Sequence, residues 1–456
     1  MLTRPAGLDP IRLFSTLNLA SHASVIAAVS GGSDSTALLL LLDDYLKRFA
    51  PSTHLMAVTI DHALRPESAR EAGDVARLCA RLGIAHSIRP WTADKPQTGL
   101  PAAAREARHT LLARAAREAE ASLVITGHTA DDQAETVLMR QARHDGRGLA
   151  GIASATFFDG CTWFVRPLLP IRRNELREFL SRRDIGWIDD PSNSNDHFER
   201  PRMRKSLRQC GGGTAIAAAL HTARQAAAQR IHLGKAAARF IRDHVTRPAA
   251  GLLRVAPEPF DSAASDVAVY VLRILLAVAG GTPHLPDERR AALLRIRLLE
   301  RLPVRAVLSR ALVDRRQAGI FLLREARGLP EPVAAAHGAI WDGRYRIPDD
   351  RASDLACIAP VGAIAARAAR SADPGIPDSL VRAARACEPV VAYPDRQGDR
   401  RRSACDDSAP QLLPCMAPWA RFLPSFDLAP AGAVAKILGA PQIPAPPFPE
   451  HIESKP

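Results

Sequence analysis

The sequence predicts an α/β fold: a parallel sheet with helices on both faces, followed by a helical domain and a small α+β C-terminal domain. Three observations carry that expectation. Short β-rich apolar runs alternate with helical patterns through the first third of the chain, and such alternation builds a parallel sheet covered on both sides. A Gly/Ser-rich loop separates the first strand from the first helix, as in Rossmann-like sheets, whose ligands bind beyond the carboxyl ends of the strands. After the glycines at 211–213 the pattern becomes Ala-rich and helical.

The elements follow in order. Residues 24–29 (SVIAAV) read as a buried strand and 35–46 as the helix after it. A second strand is expected at 55–60, a helix with apolar spacing at 67–82 and a weaker strand at 85–89. Pro101 opens a long Ala/Arg helix over 101–119, because proline suits the first helical turn. Strand 122–126 and helix 131–141 continue the alternation, and strand 162–165 and helix 174–183 extend it. The polar stretch 189–208 ends basic and reads as an exposed arm. Helices are expected at 214–245, 264–279 and 287–302, then a hairpin from 306–313 and 319–324. Asp342-Gly343 between apolar flanks signals the turn of another hairpin. The last hundred residues are Ala/Pro-rich with weak periodicity. At roughly 150 residues per domain, three domains are expected, with bounds 1–210, 214–302 and 303–456.

Composition narrows the function. Hydrophobic residues make up 47% of the 456 and charged residues 24%, the balance of a soluble globular chain. The formal net charge is +13, which favours a polyanionic partner, nucleic acid first. Most of the positive charge is arginine, which grips phosphate through two parallel hydrogen bonds. Seven scattered cysteines with no Cys-x-x-Cys pair argue against a disulfide framework, a zinc site or a redox couple and suit a cytoplasmic location. No apolar run is long enough for a signal core or a bilayer span, so no membrane segment is expected. The oligomeric state is left open.

The sharpest local signal is Ser30-Gly31-Gly32-Ser33-Asp34-Ser35, directly after a strand and before a helix. Two glycines allow unusual backbone angles and close approach of a phosphate. The N–H groups and dipole of a helix start favour an anion there, and Ser30, Ser33 and Ser35 can add hydroxyl donors. Asp34 fits an anion site only if a cation intervenes, and Mg²⁺ between Asp34 and pyrophosphate oxygens would do so. The string lacks the Gly-Lys-Ser/Thr ending of a Walker A loop. A plain Gly turn with Ser/Asp capping is the simpler alternative. The full string resembles the PP-loop of the N-type ATP pyrophosphatases, which cleave ATP between the α and β phosphates and transfer AMP to a substrate oxygen. The resemblance implies ATP on residues 30–35.

Further motifs resemble one branch of that family, the lysidine synthases. Thr59-Ile60-Asp61-His62-Ala63-Leu64-Arg65 is similar to their Asp-His-Gly-Leu-Arg segment, with Ala63 in the Gly position; the likeness puts Asp61 and His62 near the nucleotide base and ribose. Ala104-Arg105-Glu106-Ala107-Arg108-His109 resembles Ala-Arg-x-x-Arg-Tyr, with His109 for Tyr. By that likeness Arg105 reaches the phosphates and offsets charge developing on them. The block from Thr126 to Thr136 resembles Thr-Gly-His-x-x-Asp-Asp-Gln-x-Glu-Thr, with Gly127 and His128 at a strand end and Asp131 expected to cap the next helix. Asp132 and Glu135 are three apart and share one helical face. In the family this pair recognises free lysine; the simpler alternative is acids that complement a helix dipole. Residues 140–152 resemble a Gly-rich family loop, with His144-Asp145 replacing Gly-Ser. Arg166-Pro167-Leu168-Leu169, Asp190-Pro191-Ser192-Asn193 and Arg200-Pro201-Arg202-Met203-Arg204 resemble segments that imply tRNA contacts by Arg166, Arg200, Arg202 and Arg204.

Together the resemblances imply a ligase that joins free L-lysine to carbon 2 of the wobble cytidine of an isoleucine tRNA with a CAU anticodon. The implied route passes through an adenylated tRNA and releases AMP and pyrophosphate, with Asp34, Asp132, Glu135 and Arg105 as catalytic residues. The later regions, with Arg224, Arg230 and Lys235, would help hold the tRNA. Three alternatives are weighed against this. A tRNA thiolase generally needs a reactive Cys cluster, absent here. An amidotransferase-type ligase does not need the basic charge and arginine arm. A non-catalytic RNA-binding relative would not need an intact phosphate loop.

Overall fold

The computed structural model describes residues 8–189, 199–209, 213–300, 302–336, 338–348, 353–394, 400–402 and 412–448. A short helix α1 (Pro10–Phe14) precedes strand β1 (Ser24–Ala28) and helix α2 (Ser33–Phe49). Then come β2 (His54–Asp61), α3 (Ser68–Leu82), β3 (Ala85–Pro90), α4 (Leu100–Glu118), β4 (Leu123–Thr126) and α5 (Ala130–Ala142). Strands β5 (Ala155–Phe158) and β6 (Thr162–Val165) follow, then helices α6 (Arg173–Arg182), α7 (Glu199–Gln209) and α8 (Gly213–His244). The strands of residues 24–165 lie in the order β5-β6-β4-β1-β2-β3. All neighbours pair in parallel except β5 with β6.

That order explains where a site can form. β1 pairs with β2 on one side and β4 on the other, so connections leave to opposite faces at this junction and open a crevice at the carboxyl ends. The strands there are fully apolar inside, with Val25, Ile26, Ala27, Val124 and Ile125 at 0% exposure, as a sheet covered on both faces requires. The antiparallel β5 was absent from the sequence expectation.

The stretch expected as an exposed arm is corrected in part. Residues 199–209 form α7, with Pro201 in its first turn, where a missing N–H does no harm. Leu207 of α7 packs with Ala134 and Val137 of α5 and with Ile216, Ala219 and Ala223 of α8. The Asp190-Pro191-Ser192-Asn193 segment lies outside the described residues.

Two compact units divide the chain, one comprising residues 1–230, 424–426 and 445–456, the other 231–423 and 427–444. In the second, β7 (Val245–Ala249), β8 (Leu252–Val255), α9 (Pro257–Ser262), α10 (Ser265–Gly280) and α11 (Glu288–Leu299) lead into β9 (Val304–Leu308), β10 (Ala311–Arg316) and β11 (Gly319–Arg324). The five strands form a sheet ordered β7-β8-β11-β10-β9. The expected strand over 306–313 is therefore two strands, β9 and β10, broken where Ser309 and Arg310 take positive φ.

After β12 (Val333–Ala335), the expected turn at Asp342-Gly343 closes a hairpin of β13 (Ile340–Trp341) and β14 (Tyr345–Arg346). Its φ values of 51° and 70° are both positive, as a type I′ turn demands. Asp342 has no exposed side-chain surface. It accepts from Arg324 at 3.1 Å, Arg344 at 2.9 Å and Arg310, and Arg344 also donates to Glu388 at 2.8 Å. Arg324 spends its remaining donors on the carbonyls of Glu325, Arg327 and Gly328. No helix among the described residues is long and apolar enough to cross a membrane.

Candidate active site

The carboxyl ends of β1 and β4 open into a cleft of about 1580 Å³, reached by the residues before α2, the start of α5, one face of α4, and parts of α6 and α7. The loop of residues 30–35 forms its floor. Gly31 has φ +84°, a left-handed angle that favours glycine, and a Cβ there would also crowd Ile188 Cδ1 at 2.6 Å. Ser35 Oγ donates to Gly32 O at 3.1 Å and accepts from Ser30 N at 3.1 Å, so this hydroxyl stitches the loop together. Gly32 is the N-cap of α2 and brings no side-chain cap. The first-turn N–H groups therefore keep their capacity for an outside acceptor.

Gly127 joins the other strand end to this floor. A Cβ there would meet the backbone of Asp34 at 2.8 Å, so only glycine lets the two loops touch. Beyond it α5 begins with a reciprocal cap: Thr129 N and Oγ1 donate to Asp132 Oδ2 at 2.9 Å each. Thr129 caps the helix, and Asp131, expected in that role, instead accepts from Arg172 at 3.1 and 3.2 Å and from Arg173 N at 2.8 Å. These bonds dock the start of α6 onto the start of α5.

The docking delivers Arg173 into the acids. Its Nε donates to Asp34 Oδ2 at 2.7 Å and its Nη2 to Asp132 Oδ1 at 3.0 Å, while Nη1 stands 3.7 Å from Glu135 Oε1. Arg204 of α7 adds a fork onto Glu135 at 2.6 and 3.3 Å. Burial raises the pKa of Asp34 and of Glu135, opposed by Arg173 and Arg204 respectively. Burial works against the charge of Arg173, but Asp132 and Asp34 hold its pKa above the ordinary value. Sequence reasoning missed Arg173, as it missed Arg172 and Arg177, which also line the cleft.

The opposite wall is basic. Arg105 and Arg108 of α4 and Arg200 of α7 face the cleft. Among the described residues no carboxylate pairs with Arg105 or Arg108. Desolvation, and then the charge of Arg200, depress the pKa of both. His128, also lining the cleft, is driven well below its ordinary pKa by burial and then by Arg166 and Arg105, so it is neutral at pH 7. His62 lines the cleft too, and Asp61 beside it accepts from Ala63 N at 2.8 Å. Ala63, in the family's glycine position, has φ 48°, and His144, in another, has φ 53°. Both backbones take the left-handed conformation without the residue that favours it.

Of the residues expected at the site, Ser30, Gly32, Ser33, Asp34, Ser35, His62, Arg105, Gly127, His128, Asp132, Glu135, Arg200 and Arg204 all line this one cleft. Arg202 is exposed on α7 and is not part of its lining. Arg166 departs from its expected place against tRNA. It is 2% exposed and donates to Ala153 O at 2.9 Å, Thr156 Oγ1 at 3.0 Å and Phe164 O at 3.4 Å. Burial, then Arg105, push its pKa down to about 9. It is an internal brace between β5 and β6, with no surface to offer a phosphate.

A floor built for an anion, an acid cluster on one side and, among the described residues, arginines without carboxylate partners on the other can hold a nucleotide and an amine together. Known proteins resemble this chain along most of its length. Residues 10–210 match the family model described as a PP-loop domain. The chain is 51% identical over 451 residues to a tRNA(Ile)-lysidine synthase of Mesorhizobium japonicum, covering 96% of this chain and 97% of that one. It is 39% identical over 348 residues to a tRNA(Ile)-lysidine synthase of Brucella melitensis, covering 74% and 77%.

Proposed function

The chain belongs to the tRNA(Ile)-lysidine synthases, and from that premise we propose that it ligates free L-lysine to carbon 2 of the wobble cytidine of tRNA(Ile) bearing a CAU anticodon, using ATP in the cytoplasm. The observation that carries the reading is a single side chain, Arg173, touching both the acid of the phosphate loop and the acids of α5. Nucleotide and amine sites are thus one arginine apart.

Two steps are proposed. The cytosine O2 attacks the α-phosphorus of ATP and pyrophosphate leaves, which converts a poor leaving oxygen into AMP. The ε-amine of lysine then attacks carbon 2 of the adenylated base and AMP departs. The uncapped start of α2 and the loop of residues 30–35 hold the phosphates. Arg105 and Arg108, without carboxylate partners among the described residues, offset the charge that gathers on the departing pyrophosphate. Asp61 and His62 would face the base and ribose.

No group of three or more His, Cys, Asp or Glu among the described residues could hold a metal alone. Asp34, at the start of α2, does fit Mg²⁺, an ion that can be held by a single carboxylate while phosphate oxygens and water complete its shell. Bound there, it would offset phosphate charge. The second step needs a neutral amine, yet a lysine side chain has a pKa near ~10.4. Asp132 is proposed to position the amine and accept its proton, and Glu135 to hold it. Arg200, Arg202 and Arg204 would meet the tRNA. Residues 1–210 would carry the chemistry, while 214–302 and 303–456 would hold the tRNA.

The test incubates the protein with ATP, labelled lysine and a panel of tRNA transcripts. Label confined to the isoleucine tRNA with a CAU anticodon is expected. Label on every tRNA, or on none, overturns the reading.

A further inference from the structure

We propose that Arg173 is a displaceable cation that occupies the ammonium subsite until nucleotide binds, so that lysine binding follows nucleotide binding. The inference rests on reading Asp132 and Glu135 as the lysine-binding acids.

The geometry makes the guanidinium a competitor. Asp132 commits Oδ2 to Thr129 N and Oγ1, which leaves Oδ1 to face the cleft, and Arg173 Nη2 already sits on it at 3.0 Å. Glu135 is 1% exposed, has both oxygens on Arg204, and has Arg173 Nη1 at 3.7 Å. An ammonium entering between these acids would meet a like charge on the same oxygens.

Charge gives the same answer. Asp34, Asp132 and Glu135 supply three negative charges and Arg173 and Arg204 two positive ones. One negative charge remains, so the cluster can accept one more cation in principle, but only where Arg173 stands.

What would move Arg173 is also in place. The acid gripped by its Nε, Asp34, belongs to the first turn of the helix whose uncapped N–H groups face the proposed phosphates. A polyphosphate arriving there offers several oxygens to a guanidinium fork, which matches phosphate better than a single carboxylate oxygen. A cation arriving with it takes Asp34 away as a partner. The backbone need not shift, because Arg173 N stays bonded to Asp131 and the neighbouring Arg172 grips the same carboxylate. A swing of the side chain alone clears Asp132 Oδ1.

The test titrates L-lysine calorimetrically into the full chain, with and without saturating Mg²⁺ and a non-hydrolysable ATP analogue, in the absence of tRNA. The wild-type protein is expected to bind lysine about ten-fold or more tightly with the analogue, within the usual range of site-to-site coupling. Arg173→Ala is expected to bind lysine equally well with and without it, and Arg173→Lys to restore the dependence. Arg173→Met, which keeps the aliphatic bulk, serves if the alanine variant does not fold. Equal wild-type affinity in both conditions overturns the proposal, as does full nucleotide dependence in Arg173→Ala or Arg173→Met. Absence of lysine binding in every protein, with the analogue bound, overturns the lysine-site reading as well and is recognisable as that broader failure.

Discussion

Two arginine–carboxylate clusters in this molecule look alike on paper and differ in kind. Around Asp342 in the second unit, three arginines converge on one carboxylate, and Arg324 and Asp342 have no side-chain exposure at all. Spare donors end on backbone carbonyls. Around Arg173 in the first unit, the acids outnumber the guanidiniums, the arginine is 18% exposed, and the cluster borders a large cleft. The first is closed at its centre, with Arg324 spending every donor on the fold and Arg344 held between Asp342 and Glu388. The second is open and short of a cation, which is the condition a ligand can answer. Counting ion pairs does not separate the two; burial and following each donor to its end do.

The contrast can be broken by substitution. Asp342→Ala should destabilise the protein by about 3–5 kcal/mol, because it strands buried guanidiniums, and denaturant unfolding reads this directly. Asp34→Ala should do the reverse, leaving the unfolding midpoint nearly unchanged while adenylation of tRNA falls at least about a hundred-fold. If both lose stability equally, the distinction between a closed and an open cluster is wrong. Within the open cluster, Glu135→Ala should let adenylated tRNA accumulate, since the second step is blocked after the first has run. Rapid-quench analysis of the RNA would show it, and equal loss of both steps would refute the role given to Glu135.

Smaller effects test the surrounding frame. His109 is buried between Phe158 and Phe164, with Nδ1 2.8 Å from Arg105 O, and burial pushes its pKa down to about 3. A histidine held neutral in the fold but free to charge when unfolded stabilises fully above its ordinary 6.5, and loses that contribution as pH falls toward 3. His109→Tyr should therefore flatten this part of the acid side of the stability profile. Smallest, Ala63→Gly should stabilise by about 0.5–1 kcal/mol, because the left-handed angle suits glycine. A loss there would mean that the strain at Ala63 is relieved in a way φ does not reveal.

Local chemistry was legible and distant pairing was not. The sheet strands, the loop of residues 30–35 and helices such as α8 follow from periods and punctuation within a dozen residues. Asp132 and Glu135 were found because the block from Thr126 to Thr136 resembles a family motif, and their three-residue spacing then fixes a shared face. Arg173 was invisible because its partner Asp34 lies 139 residues away in sequence, and one arginine among 61 basic residues carries no mark of it. Arg166 shows the opposite failure, a motif match whose side chain is turned inward onto β5 and β6, a pairing with a strand the sequence expectation lacked. The polar look of residues 199–209 hid a helix because its packing face is reduced to a few residues, Leu207 among them.

Gly127 has a consequence for redesign. The obstacle that a larger residue would meet there is main chain, the carbonyl of Asp34 at 2.8 Å, so no change of rotamer can make room. Attempts to retrain this enzyme toward another amine must treat the junction of the two loops as immovable and look for new specificity in the side chains around it.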